Sequence, residues 1–130
     1  DFSSDMRDLE PKMKAGDEKA TIAITAAGYR IKKYVGSFAA ALNGVDAIVF
    51  TGGIGEHSDV MRNLVAGDMQ YLGVELDPEL NKKFVSGYEP GIYEIQAASS
   101  RVKVLVATTN EELSIARETK ALVENLQKHL

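Results

Sequence analysis

The chain has 130 residues, a hydrophobic fraction of 45%, a charged fraction of 26% and a formal net charge of −4, which together fit one soluble globular domain. The negative charge disfavours a general nucleic-acid binder, and the lack of cysteine excludes disulfides and thiolate metal sites. Because no apolar run approaches the roughly 20 residues of a membrane helix, we expect a cytoplasmic protein without a membrane or nucleic-acid partner.

The first predicted element is a long helix that begins after Asp17 and ends near Leu42. Asp17 is a suitable N-cap, apolar residues recur at helical spacing, and the pair Asn43-Gly44 is a C-terminal stop signal. The aromatic residues of this helix fit either the core or an interface, and we expect them in the core: Tyr29, Tyr34 and Phe38.

Strands and helices then alternate along the chain. Ala47–Phe50 is a short apolar run bounded by turn residues and predicts a buried strand. Ser58 or Asp59 is a suitable cap for a second helix, whose predicted inward face is Val60, Met61, Leu64, Val65, Met69 and Leu72. The remaining predicted elements are a short strand or edge at Gly73–Asp77, a helix from Pro78 to about Phe84, strands at Ile92–Ile95 and Val102–Thr108, and a helix from about Asn110 to Gln127. This order predicts an α/β or mixed α/β fold.

The first predicted strand runs directly into glycines in the segment "VFTGGIGEHSDV". Glycine lets the backbone approach a ligand closely, and a helix that follows offers free N–H groups to an anion. A tight turn that binds nothing is the alternative. The segment lacks the Lys-Ser or Lys-Thr of a P-loop. Gly53-Ile54-Gly55-Glu56-His57-Ser58, with Glu75 about 20 residues on, is a weak match to a dinucleotide-binding fingerprint, which remains a second alternative.

The last predicted strand leads into a second junction, "ATTNEEL". Thr109 and Glu112 fit a capping box, in which Glu112 reaches back to the Thr109 N–H. That interpretation leaves Glu111 free at the carboxyl end of a strand, where α/β sheets bind ligands. A lone carboxylate there can hold Mg²⁺ when substrate phosphates supply other ligands, or it can simply complement the helix dipole.

Three segments in this order, "SSDMRDLE", "TGGIGEHS" and "SRVKVLVATTNEELSIARET", closely resemble the C-terminal part of acetate kinases. These belong to the acetate and sugar kinase/Hsc70/actin superfamily, so the resemblance implies a ribonuclease-H-like α/β fold, with a mixed sheet flanked by helices. It covers essentially the whole chain. Since the chain also opens without an initiator methionine, we expect residues 1–130 to be the C-terminal nucleotide-binding portion of a longer protein.

The resemblance also implies site residues. Ser3, Asp5 and Arg7 match a family S-x-D-x-R segment, whose Asp-x-Arg part implies that Asp5, Met6 and Arg7 border the adenosine of the nucleotide.

The glycine segment matches the family sequence G-I-G-E-N, so Gly53, Ile54, Gly55 and Glu56 are implied to form another wall of the ATP/ADP site. His57 replaces the family asparagine and is included as a candidate nucleotide contact, although we expect it to be a solvated loop residue.

In the family T-N-E-E segment the first glutamate is associated with Mg²⁺, and it corresponds to Glu111. Thr108 replaces the usual proline before this segment, a change that we expect to alter rigidity more than chemistry.

The activity implied by the resemblance is reversible phosphoryl transfer from Mg²⁺-bound ATP to acetate, in a homodimer. In the family, the acetate pocket and the arginine and histidine residues around the transferred phosphoryl group lie upstream of this segment. We therefore expect no catalytic residue in this chain and no activity from it alone. Propionate and butyrate remain open as acceptors, and a catalytically silent assembly domain is the third alternative, beside the dinucleotide-binding oxidoreductase.

Overall fold

The computed structural model describes residue 3 and residues 5–127. Its helices are α1 (Met6–Lys14), α2 (Glu18–Ala41), α3 (Gly52–His57), α4 (Asp59–Ala66), α5 (Pro78–Lys83) and α6 (Glu111–Gln127), with a 3₁₀ turn at Gln70–Leu72. Its strands are β1 (Ala47–Phe50), β2 (Ile92–Glu94) and β3 (Lys103–Ala107). No helix within these residues is both long and apolar enough to cross a membrane.

Aspartate or serine side chains cap the N-termini of α1, α2, α4 and α5. Asp17 accepts a hydrogen bond from the Ala20 N–H and caps α2, and Ser58 accepts one from the Met61 N–H and caps α4, both as the sequence predicts. Helix α1, capped by Asp5, and helix α3 are elements that the sequence did not predict.

The sheet is mixed, in the order β1-β3-β2, with β1 parallel and β2 antiparallel to the central β3. Ile48 pairs with Val104 and Phe50 with Val106, so their side chains point to one face, which is buried. The strand expected at Gly73–Asp77 is reduced to an isolated bridge between Leu76 and Gln96. Because β1 and β3 are parallel, the junctions that follow them meet at the same edge of the sheet.

The core lies between the buried sheet face and helices α1, α2 and α4. The residues predicted to face inward are confirmed as core, since Met61, Val65 and Met69 are buried and the other three pack partly buried against them. The predicted helix is too long, because α4 ends at Ala66 and leaves Met69 and Leu72 beyond it. On the opposite sheet face Val49 is 52% exposed, and Ile92 is 70% exposed at β2. Every residue of α6 is exposed as well.

The expectation that the aromatic residues of α2 belong to the core is wrong. Tyr29, Tyr34 and Phe38 are 63%, 54% and 63% exposed. Helix α2 instead buries Ala20, Ile24, Gly28 and Ala39, and at Gly28 an added Cβ would lie only 2.6 Å from the Leu64 Cβ. This close approach of α2 to α4 leaves no room for an aromatic ring at the contact, and the aromatic rings lie on the outer side of α2.

Candidate functional site

The candidate site lies at the edge of the sheet where β1 and β3 end. Helix α3 follows β1 after one residue, Thr51, whose backbone is extended. Gly52 then has a φ of +70°, a left-handed conformation that glycine adopts without steric cost. The predicted glycine turn is therefore the first turn of a short helix, and α6 begins beside it after β3.

A cavity of about 860 Å³ opens beside α3. Six of the eight residues predicted to bind nucleotide line it: Asp5, Met6, Arg7, Gly53, Ile54 and His57. The other lining residues are Glu10, Ser58, Val85 and Ser86. The structure thus brings together two sequence segments almost 50 residues apart, which the resemblance alone had grouped. The sequence did not point to Val85 and Ser86, which lie in a loop without a recognisable motif.

The three glycines have different structural roles. Gly52 adopts the positive φ. A Cβ at Gly53 would meet no atom within 4 Å, and its φ is not in the left-handed region, so this glycine leaves space free at the cavity. A Cβ at Gly55 would lie 3.1 Å from the Phe50 carbonyl carbon. Gly55 therefore allows α3 to pack against β1, and it does not line the cavity.

Glu56 is buried, with 7% of its surface exposed. One carboxylate oxygen, Oε1, accepts hydrogen bonds from the Gly52 N–H at 3.0 Å, the Thr109 N–H at 2.9 Å and the Thr109 Oγ1 at 2.8 Å. The side chain therefore joins the α3 junction to the α6 junction. Glu56 therefore lies between the glycine segment and the segment that begins α6, and its carboxylate accepts hydrogen bonds from both.

Asp5 and Arg7 form an ion pair at the rim of the cavity. The Arg7 side chain donates to both Asp5 oxygens at 2.6–3.1 Å, and the Arg7 N–H donates to Oδ1 at 2.8 Å. These hydrogen bonds lower the pKa of Asp5 to about 2. Because this value lies below the ordinary 3.8, the stabilising contribution of the cap is present above pH 4 and is lost as the pH falls through about 2. Both side chains are charged at neutral pH.

His57 is the last residue of α3, and its ring is exposed but fixed. The Val85 carbonyl can only accept, so His57 Nδ1 donates to it, at 2.8 Å. A second cavity of about 230 Å³ lies on the other side, lined in part by Tyr88, Thr109 and Asn110. His57 and Ser86 line both cavities. His57 is exposed, as expected, but it lies at the end of α3 and not in a loop.

The capping box predicted at α6 is also wrong. The Thr109 N–H donates to Glu56, not to Glu112, and Asn110 Oδ1 accepts from the Leu113 N–H at 2.9 Å, so Asn110 is the cap. Glu111 is the first residue of α6 and is exposed. Within the part of the chain that the structure describes, its carboxylate has no hydrogen bond or ion pair.

Thr108, which replaces the family proline, forms two hydrogen bonds with the backbone of Gly91. Its N–H donates to the Gly91 carbonyl at 3.0 Å, and its Oγ1 accepts from the Gly91 N–H at 2.8 Å. Proline has neither a backbone N–H nor a hydroxyl group, so it could make neither of these two hydrogen bonds. The threonine therefore ties the end of β3 to the start of β2.

A metal site built from protein ligands alone is not present among residue 3 and residues 5–127, where no three histidine, aspartate or glutamate side chains cluster. Glu111 alone fits only one mode of Mg²⁺ binding, in which a single free carboxylate adds to ligands from phosphate and water.

The dinucleotide-binding alternative conflicts with the position of Glu75. Its carboxylate accepts from Ser99 Oγ at 2.6 Å, and the neighbouring Gly73 carbonyl accepts from the Arg101 and Val102 N–H groups, just before β3 begins. The glycine segment follows the carboxyl end of the parallel strand β1. Glu75 therefore lies beside the opposite end of the sheet and cannot be the ribose-binding acid of that fingerprint.

Comparison with known proteins gives one consistent result. The sequence profile of the Acetokinase family matches residues 1–117. The acetate kinase of Thermotoga maritima is 52% identical over 125 residues, which cover 96% of this chain and 30% of that protein. The chain thus spans about a third of the length of this relative.

Solved structures that resemble this chain include an acetate kinase and a propionate kinase. The crystal structure of Porphyromonas gingivalis acetate kinase matches with a TM-score of 0.77 and 43% identity, over 93% of this chain and 29% of that one. A propionate kinase from Francisella tularensis matches with a TM-score of 0.72 and 34% identity, over 88% and 28%. These similarities confirm the predicted α/β fold of the actin-like ATPase superfamily, with a mixed sheet flanked by helices. The chain belongs to the acetokinase family.

Proposed function

We propose that residues 1–130 form the C-terminal nucleotide-binding portion of a longer acetate kinase, which transfers the γ-phosphoryl group of ATP to acetate and back. The observation that carries this proposal is the convergence of Asp5, Met6, Arg7, Gly53, Ile54 and His57 on one cavity. Its volume of about 860 Å³ is in the range of small-molecule and cofactor sites, roughly 300–1,000 Å³.

Each part of the site has a role in this proposal. The Asp5–Arg7 segment borders the adenosine, and the backbone of α3 is open to the nucleotide at Gly53, where no side chain intervenes. Glu56 is buried and supports the site by joining α3 to Thr109 through hydrogen bonds. Thr109 lies two residues before Glu111. The proposal therefore assigns Gly55 and Glu56 to support of the wall and the other six residues to its surface.

Phosphoryl transfer depends mainly on alignment of donor and acceptor and on neutralisation of charge on the phosphoryl oxygens. Glu111 is the carboxylate that we propose to anchor Mg²⁺, because it is exposed and free at the start of α6. When bound, Mg²⁺ supplies positive charge to the phosphate oxygens. The residues that act on the acceptor belong to the upstream part of the protein, so we propose that this chain alone is inactive.

Two exposed apolar surfaces fit a place within a larger assembly. Val49 and Ile92 are exposed apolar residues on the same face of the sheet, and exposed apolar patches mark interaction surfaces. We propose that the upstream part of the protein covers them. The aromatic side of α2, with Tyr29, Tyr34 and Phe38 exposed, is our candidate surface for a homodimer. The compartment that we propose is the cytoplasm.

The test is the reverse reaction of the full-length protein, measured as ATP formation from ADP and acetyl phosphate, with propionyl and butyryl phosphate beside it. We expect acetyl phosphate to be preferred. A preference for a longer acyl phosphate would retain the mechanism and change the acceptor, as in the propionate kinase that the chain resembles. No turnover with any of the three would refute the proposed activity.

Two neighbouring glutamates provide the matched pair for this assay. Glu111→Ala should lower kcat by about 100-fold or more, since charge stabilisation by a bound metal is worth several kcal/mol. Glu112→Ala should change kcat by less than about threefold, because the capping box that would have used Glu112 is not formed. Equal effects of the two substitutions on kcat would contradict the proposal that Glu111 anchors Mg²⁺.

A further inference from the structure

Arg62 is a fully buried arginine on α4, with 0% of its surface exposed. Its guanidinium donates five hydrogen bonds. Nε donates to Asn81 Oδ1 at 2.7 Å, one terminal nitrogen donates to the carbonyls of Gly55 and Glu56 at 2.9 and 2.7 Å, and the other donates to the carbonyls of Asn81 and Phe84 at 2.6 and 2.9 Å. Each of the three nitrogens is thus used.

The acceptors of Arg62 are neutral, which is unusual for a buried cation. No ion pair to Arg62 occurs in residue 3 and residues 5–127, and burial lowers the pKa of the guanidinium from its ordinary value. The accepting carbonyls belong to the last turn of α3 (Gly55, Glu56) and to the end of α5 (Asn81) with its C-cap (Phe84). The negative ends of two helix dipoles therefore point at one positive charge and compensate for its burial.

These two helix ends lead into two parts of the lining of the large cavity. The helix wall consists of Gly53, Ile54 and His57 on α3, and the loop wall consists of Val85 and Ser86, directly after the α5 C-cap. Apart from Arg62, two side chains of the described residues tie the segment after α5 to α3 by hydrogen bonds. His57 Nδ1 donates to the Val85 carbonyl, and the Tyr88 hydroxyl donates to the Glu56 carbonyl. Both of these are exposed or partly buried, whereas the Arg62 contacts are mostly buried.

We propose that Arg62 is a positioning residue for the adenine nucleotide: it fixes the distance between the helix wall and the loop wall of the cavity. This inference rests on the proposed function, because it takes the cavity as the nucleotide site. Arg62 itself does not line the cavity, so it acts only through the backbone carbonyls that it holds. Asn81 shares this role, since its Oδ1 accepts from Arg62 and its Nδ2 donates to the Asp59 carbonyl at 3.0 Å.

The test uses the full-length protein with Arg62→Lys, Asn81→Ser and, as the matched control, the exposed Arg101→Lys. Lysine keeps the charge but has no planar fork, so it cannot hold the carbonyls of both helices at once. The Kd of ADP is measured by calorimetry, and the KM of acetyl phosphate and kcat are measured at saturating ADP. We expect Arg62→Lys to raise the Kd of ADP about tenfold or more, with kcat and the KM of acetyl phosphate within about threefold of wild type.

Asn81→Ser should raise the Kd of ADP by a smaller factor, because the four carbonyl contacts of Arg62 remain, and Arg101→Lys should leave it unchanged. A folded Arg62→Lys protein that binds ADP as tightly as wild type overturns the inference, as does an equal rise in the KM of acetyl phosphate, which would indicate general distortion. If Arg62→Lys does not fold, an unchanged Kd in Asn81→Ser overturns it. A wild-type protein that binds no ADP overturns the proposed function together with the inference.

Discussion

Replacing Glu56 with alanine is expected to lower the free energy of unfolding by about 3 kcal/mol or more. The carboxylate oxygen that is removed accepts from the Gly52 N–H, the Thr109 N–H and the Thr109 hydroxyl. All three bonds are partly buried, so each donor that loses its acceptor costs about 1 kcal/mol, the lower end of the roughly 1–3 kcal/mol range. Urea unfolding of the full-length protein, followed by circular dichroism, measures the loss.

Two further substitutions distinguish this effect from the simple loss of a glutamate. Glu56→Gln keeps an oxygen acceptor without the charge, so we expect a loss of only about 1 kcal/mol. Glu79→Ala removes an exposed glutamate that pairs with Lys82, and exposed pairs contribute little, about 0–1 kcal/mol. If Glu56→Ala and Glu79→Ala had equal effects, Glu56 would not join the two junctions.

Replacing Gly53 with leucine is expected to weaken ADP binding by about 10- to 100-fold without destabilising the protein. The new side chain has free space and an unstrained φ, and leucine favours helix more than glycine does. The apparent melting temperature should therefore be unchanged or slightly higher. The same side chain occupies space at the cavity, and overpacking of this kind costs roughly 1–3 kcal/mol, which corresponds to that loss of affinity. Calorimetry with ADP measures it.

Ala98→Leu is the control for added volume, because Ala98 is an exposed loop residue between β2 and β3. It should leave the Kd of ADP unchanged. A Gly53→Leu protein that binds ADP with wild-type affinity would mean that the nucleotide does not lie against α3. The joint result of weaker binding and retained stability cannot be produced by partial unfolding.

The sequence predicted the elements that local rules determine. Asp17 and Ser58 cap helices through bonds to residues three positions away, and the apolar run at Ala47–Phe50 is a strand as predicted. Only every second residue of this strand is buried, whereas the sequence predicted a buried strand. Such features depend on neighbouring residues only. The two parallel strands also follow from the alternation of elements, and they bring both predicted junctions to one edge of the sheet.

The failures at the second junction have a long-range cause. Thr109 and Glu112 satisfy the local pattern of a capping box, but Glu56, 53 residues away in the sequence, accepts from Thr109 instead. Asn110 then serves as the cap one residue later. A pattern within four residues cannot reveal a competing acceptor that only the tertiary fold brings near.

Arg62 illustrates the same limit for charge. An arginine at a helical position is ordinarily read as exposed, and its burial here depends on carbonyls from α3 and from the end of α5. The prediction that the aromatic residues of α2 lie in the core was wrong because of a contact with another helix. Periodicity identified a helix with apolar residues, but the close contact at Gly28 decided which side is buried.

We propose that adenine nucleotides bind in the cavity between α1, α3 and the loop after α5. Photolabelling of the full-length protein with 8-azido-ADP, followed by mass spectrometry of its peptides, tests this most directly. We expect adducts within residues 5–10, 53–58 or 85–86, which surround the cavity, and we expect excess ADP to suppress them. Labelling confined to other peptides, or labelling that ADP does not suppress, would contradict it.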